Sequence, residues 1–380
     1  MFRRRKATQS EVVARRMRRY FAALTSRDPE QVALAYGRAL WRSRAEALAD
    51  HKQLARARFT VALTTGDDIE EFRRITKRAT LVSDTLLLSH DGTGNFHSIG
   101  LRKETWEPGR SRGDRANELL AMSDNIAGWA DPPAPSDFDR KVHQEWYGML
   151  CPDLAGLGSW LLDAEGLLTS GLAWYLPTFA SGKRTELENF TSTDPIRGIQ
   201  PYRSADFLIR DGRAVEMSGT QPLKSRLVRP VMSIDLPFVD GVDLKTFSEL
   251  TVQEFASYTA FRDVLRLSLL ELDDSLHADQ SEREMLRLAL RIKDEIRGVA
   301  TQMRTVRRKR AVAVTGAALG SVSALLVAVY GPALEAAIAA LGATGGVWGV
   351  VHAAAEHSSR DLRDGTWYYV WALSRASTMT

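Results

Sequence analysis

The sequence predicts a mainly α-helical protein with a small mixed α/β domain, in which a long αα-hairpin leads into a C-terminal hydrophobic helical hairpin. Three observations carry this expectation. Apolar residues recur every three or four positions over most of the chain, which is the helical period. A few short apolar runs bounded by Gly and Asp instead read as strands. Finally, Ala311–Tyr330 and Ala336–Ala355 are each twenty residues without a formal charge, counting His352 as neutral.

Residues 1–65 form a basic helical segment. Val12, Val13, Met17, Tyr20, Phe21 and Leu24 make an apolar stripe, with Arg15, Arg16, Arg18 and Arg19 mostly on the other side. Thr8 and Glu11 have capping-box spacing. Such a helix can lie on an anionic membrane surface or pack its stripe on the protein's own core. Asp28 and Pro29 start a second helix, as cap and first helical residue, which is expected to run to about Leu63.

Residues 66–240 form an acidic mixed α/β domain. A helix over about 68–79 is followed by a buried strand over Leu81–His90, the turn "DGTGN", and a returning partner strand in "FHSIGL". Helices are expected over about 114–129, after Ser136 and Asp139, and over Asp153–Asp163. "LAWYLPTF" and "RPVMSIDLPF" read as strands, and "DFLIRDGRAVEM" as a hairpin about Asp211–Gly212 or a helix ended by Gly212.

Residues 243–310 read as a stalk. Tyr258, Phe261, Leu265, Leu269, Leu272 and Leu276 mark one long helix. After "DDSLHADQ", Ser281 and Glu284 cap a second, marked by Met285, Leu288, Ile292, Ile296, Val299, Met303 and Val306. Facing stripes on antiparallel helices make an αα-hairpin.

Residues 311–357 are the hydrophobic hairpin and 358–380 an aromatic tail. Each uncharged segment has about the length that crosses a hydrocarbon core. Arg307, Arg308, Lys309 and Arg310 would hold the first on the cytoplasmic side, and Trp367, Tyr368, Tyr369 and Trp371 suit the headgroup level. Gly316/Gly320, Gly342/Gly346 and Gly345/Gly349 have the spacing that lets helices approach closely. Against insertion, the second segment holds eight Ala and four Gly, which partition weakly into lipid. A helix apolar on all sides can also be the centre of a bundle. The sequence favours insertion, with both termini and the main domain on the cytoplasmic side of the inner membrane; a cytoplasmic location is the alternative.

Charge is unevenly distributed. Residues 1–60 hold 15 basic and 5 acidic residues, residues 281–310 hold 10 and 4, and residues 61–280 carry about −11. Basic blocks of this kind attract phosphate groups or neutralise the acidic middle. Arg outnumbers Lys 41 to 10, which fits the coding habit of a GC-rich bacterium. One cysteine, Cys151, excludes a disulfide framework or Cys-rich zinc site within the chain. Arg3, Arg4, Arg5 and Lys6 are not followed by the apolar run of a secretory signal.

No phosphate loop, dinucleotide fingerprint or nucleophile elbow occurs. Ser89-His90-Asp91 cannot relay, because neighbours on a strand point to opposite faces. His90 and His97 could face each other across the expected hairpin. "HAAAEH" places His352 and Glu356 on one helix face but His357 off it, which is a polar pair and not a zinc site. Asp240/Asp243 and Asp273/Asp274 fit caps and turns. The sequence therefore assigns no catalytic, cofactor-binding or metal residue and implies no cofactor. Its leading expectation is a membrane-anchored bacterial interaction or effector protein, self-associating or membrane-perturbing. An anionic lipid membrane and a homo-oligomer are the expected partners; any protein partner is unspecified, and nucleic acid is disfavoured for want of a recognition motif or stacking platform. The alternative is a helical partner-binding protein with a buried hydrophobic hairpin; an enzyme with an unfamiliar site in the acidic domain is the remaining reading.

Overall fold

The computed structural model describes residues 8–91, 95–106, 141–187, 190–193, 197–199, 205–271, 278–314 and 365–377. Helix α1 (Glu11–Ala22) buries Val13, Met17 and Tyr20. Its cap position is Ser10, not Thr8; the Thr8 hydroxyl instead accepts from Arg18. Helix α2 (Pro29–Arg42) starts as its sequence requires, with the Asp28 carboxylate accepting from the Gln31 amide. The expected continuation to Leu63 does not occur. A break at Ser43 separates α3 (Arg44–Ala55), and Thr60–Thr65 is strand β1. β-Branched Thr60, Val61, Thr64 and Thr65 pack well on a pleated surface, and burial on both faces selects them.

The chain continues as α4 (Ile69–Thr80), β2 (Thr85–His90), β3 (Asn95–Trp106), β4 (Lys141–Cys151), α5 (Leu154–Asp163), α6 (Glu165–Ser170), β5 (Ala173–Tyr175) and β6 (Thr178–Leu187). Short strands β7 (Phe190–Thr193) and β8 (Arg197–Ile199) precede the hairpin β9 (Phe207–Arg210) and β10 (Arg213–Glu216). Helices α7 (Pro222–Ser233), α8 (Pro237–Asp240), α9 (Leu244–Gln253), α10 (Phe255–Leu270), α11 (Ala278–Val314) and α12 (Tyr368–Ser377) complete the described elements. The protein is thus mainly helical with a small mixed sheet region.

Two sheets form. In the first, β9, β1, β2 and β5 are adjacent and parallel, with β10 antiparallel at the β9 edge. The β9–β10 turn holds Asp211 at φ 49° and Gly212 at φ 71°. Two successive left-handed residues match the twist of a two-residue hairpin, which is why Asp-Gly stands there. The second sheet is antiparallel, in the order β3-β4-β6-β7 with β8 also on β6. The chain therefore leaves the first sheet after β2 and again after β5 to build the second.

Several sequence expectations change. Strand β3 does not return onto β2; it pairs with β4, far along the chain. The helix expected after Asp139 is instead β4 from Lys141. "RPVMSIDLPF" is not a strand but the end of α7 followed by α8. The long helix expected from Asp243 is two helices broken at Glu254.

One core unites these parts. Buried cations tie it together across the sheet-facing helices. Lys77 Nζ donates to the carbonyls of Val239 (2.9 Å) and Val242 (2.5 Å). Arg78 donates to those of Val231 and Ile234 and pairs with Asp240. Neighbouring cations of α4 thus meet carbonyls at and just past the C-terminal ends of α7 and α8. Arg262 and Arg266 of α10 both meet Asp84, at 3.2 and 2.8 Å.

Helix α11 buries Leu288 and Ile292, and Ile296 is packed partly against the core. Helix α12 is part of the same core: Tyr369 is fully buried, and its hydroxyl lies 2.8 Å from that of Thr251. The expected transmembrane helix and inner-membrane anchor are corrected here. Among the described residues, no helix is long and apolar enough to cross a membrane. The longest, α11, carries charged residues along most of its length from Asp279 to Arg310. Residues 315–364, which hold most of the uncharged hairpin, lie outside the described residues, as do the expected 114–129 helix and the "DDSLH" turn.

Candidate functional site

Open α/β sheets commonly hold a ligand beyond the C-terminal strand ends, where the strand order reverses. Here that point lies between β1 and β9. It is bridged: the Gly212 amide donates to Glu71 Oε1 at 2.5 Å. Beyond β2 and β5 the space is filled by rings. His90 Nδ1 is 2.8 Å from the Tyr175 hydroxyl, and Phe72 packs on His90 and Trp160 with centroids 4.9 Å apart in each pair. Burial lowers the His90 pKa to about 4 and raises that of the Tyr175 hydroxyl. Neither group is set to exchange a proton near neutrality. Ser89 points away, its hydroxyl 2.8 Å from that of Thr64.

A concavity lies elsewhere, between α1 and α2. Helix α1 leans on α6, where the Gln9 amide donates to the Ser170 carbonyl and Arg18 Nε to that of Thr169. Helix α2 leans on α5, with Gly158 seated against the Pro29 backbone. Each helix is held by a different neighbour, so their outer sides diverge and leave a cavity of about 670 Å³. Two tyrosines close its bottom. The Tyr20 and Tyr36 rings meet edge to face at 5.1 Å, Tyr20 Oη donates to the Val32 carbonyl, and Tyr36 Oη donates to that of Tyr175. Met17 and Leu40 complete an apolar floor.

Arginines form the rim. Arg16 is engaged within the fold: it donates to Ser43 Oγ and Asp50 Oδ2, both at 2.7 Å, and stands 5.8 Å over the Trp174 ring. Arg18 faces Glu11 at 3.6 Å. Arg15 and Arg19 on α1, and Arg38 and Arg42 on α2, are exposed and line the cavity. None of these four has an acidic partner among the described residues; Arg38 only donates Nε to the Ile99 carbonyl at 3.3 Å. Each pair has i, i+4 spacing. Like charges so placed destabilise a helix by about 0.2–0.5 kcal/mol per pair. Two such pairs facing one cavity go against that local rule, and no ion pair offsets them among the described residues.

The residues singled out in the sequence do not converge. His97 Nε2 is 3.0 Å from the Cys151 carbonyl, whereas His90 meets the Tyr175 hydroxyl. Asp240 pairs with Arg78, and Asp243 caps α9 through the Thr246 amide. Tyr368 and Trp371 are buried in the packing of α12, and Trp367 packs partly against the core. Arg307, Arg308, Lys309 and Arg310 lie near the end of α11, with their side chains outside the description. Gly316, Gly320, Gly342, Gly345, Gly346 and Gly349 are outside it altogether, as are Asp273, Asp274, His352, Glu356 and His357. No group of three metal-ligating side chains occurs among the described residues. The groove arginines were visible as a basic helix face, but nothing local said that α2 would present a second row opposite. Comparison with protein-family models, curated proteins and solved structures gives no match to this chain.

Proposed function

We propose that this protein is a binding module that holds an anionic partner in the arginine-rimmed groove between α1 and α2, with no chemistry of its own. The observation that carries this reading is the pair of like-charged rows, Arg15/Arg19 and Arg38/Arg42, turned toward one cavity without acidic partners among the described residues. An anion seated there would relieve both repulsions and accept charge-assisted hydrogen bonds from planar guanidinium groups. The bridged strand-end crevice and the buried, neutral His90 support binding over catalysis.

Fluorescence anisotropy of a labelled polyglutamate peptide tests the proposal. The double variant Arg15→Glu/Arg19→Glu should bind at least about tenfold more weakly than the parent, a difference of about 1.4 kcal/mol, with an unchanged circular dichroism spectrum. Equal affinity of parent and variant would remove the groove from the account.

A further inference from the structure

The groove is more than a basic patch, and its other features point to one kind of occupant. We infer that it receives an amphipathic acidic helix of a protein partner, apolar face down; this rests on the binding reading above. First, the floor is apolar: Met17, Tyr20 and Leu40 line it, and Val12 at the start of α1 is 44% exposed. A flexible polyanion gains nothing from such a floor, whereas a helix lays anchors at i, i+3 or i+4, and i+7 into one. Second, small side chains open the space. Ala23, Ala35 and Ala39 line the walls, so a backbone can approach closely. Third, α1 has twelve residues, about 18 Å, enough for roughly three turns of a partner.

The same features count against a nucleic acid. Single strands are held by stacking bases on aromatic faces. The groove's Tyr20 and Tyr36 rings are buried, and their hydroxyls already donate to backbone carbonyls. Glu46 also stands at the α3 end of the cavity, its side chain 81% exposed. It would repel a uniform polyanion. A helix brings partial positive charge at its N-terminus, so the partner's N-terminal end faces Glu46.

The test compares four probes on the full-length protein. They are a peptide whose leucines repeat every three or four residues among glutamates, its scrambled isomer of equal composition, polyglutamate, and a single-stranded oligonucleotide. The amphipathic peptide should bind at least about tenfold more tightly than its isomer. Ala39→Trp fills the groove from its wall without changing charge. It should abolish that preference while the thermal unfolding curve stays as in the parent. Equal binding of the two isomers, or indifference of the preference to Ala39→Trp, overturns the helix proposal. If polyglutamate binding still responds to Arg15→Glu/Arg19→Glu, the anion-binding reading survives that failure. Tightest binding by the oligonucleotide replaces the helix with nucleic acid, and no binding by any probe overturns both readings.

Discussion

Lys224 Nζ lies 2.9 Å from Asp206 Oδ2, and the same carboxylate oxygen accepts the Ala62 amide at 2.9 Å. One carboxylate thus fastens α7 to β1 just ahead of β9. Lys224 is only 2% exposed, and its other acceptor is the Ala55 carbonyl at 3.5 Å. Asp206→Ala leaves a buried ammonium without its counter-charge, which costs about 3–5 kcal/mol. Urea unfolding should show that loss in the midpoint. Asp206→Asn keeps an acceptor for the Ala62 amide but not the charge, and should fall between the two.

Acid should weaken the fold through His90. Burial lowers its folded pKa from 6.5 to about 4, with Asp91 opposing the shift only in part. Between those values the unfolded chain binds a proton that the native state refuses, so stability falls as pH falls through this window and is fully present above about 6.5. At 1.36 kcal/mol per unit the loss is about 3 kcal/mol. His51 is shifted in the same direction, by burial and then by Lys52. His90→Gln removes one titration, so its melting temperature should change less between about pH 7 and about pH 4.5 than the parent's.

Gly158 marks where α5 crosses the start of α2. A methyl group there would sit 1.8 Å from the Pro29 carbonyl oxygen, a backbone atom that cannot swing aside. Within a helix, Gly→Ala ordinarily gains up to about 1 kcal/mol. Gly158→Ala should invert that sign and destabilise by about 3 kcal/mol, as overpacking does. Calorimetry of the variant measures it. Gly298→Ala in α11 is the control: nothing lies within 4 Å, and it should not destabilise.

Cys151 is fully buried, and burial pushes its pKa up to about 12. The thiolate is the reactive form. A thiol-reactive dye should therefore leave the native protein unlabelled at neutral pH and react once denaturant opens the core. Immediate labelling of the native chain would contradict the placement of β4.

What could be read in the sequence follows the range of the interaction involved. Caps act within four residues, and Asp28, Asp153 and Asp243 each accept the amide that their spacing implies. The Asp211–Gly212 turn is equally local. Strand partners are not. "DGTGN" announces a turn but not which strand follows it, and β3 pairs with residues 35 to 56 positions on, from Trp106 with Lys141 to Asn95 with Cys151. The apolar stretch around Val231 and Met232 reads as strand by its local pattern. Their helix is completed by Arg78, whose contact with the Val231 and Met232 carbonyls no local window contains. For the groove, the basic face of α1 is legible, whereas the Arg38/Arg42 row and its meeting with Arg15/Arg19 across one cavity depend on how α5 and α6 hold the two helices.

The two departures from the parallel sheet have a kinetic consequence. Strand β4 comes from the first excursion and β6 from the second, yet each is the other's neighbour, from Val142 against Glu186 to Leu150 against Thr178. Neither excursion can complete the antiparallel layer alone, and β9 joins β1 only after both have been threaded. Closing such distant pairs costs chain entropy before any contact repays it. Maturation of this chain is accordingly slow, and its half-assembled forms expose unpaired strand edges to neighbours for longer than a bundle of the same helices would.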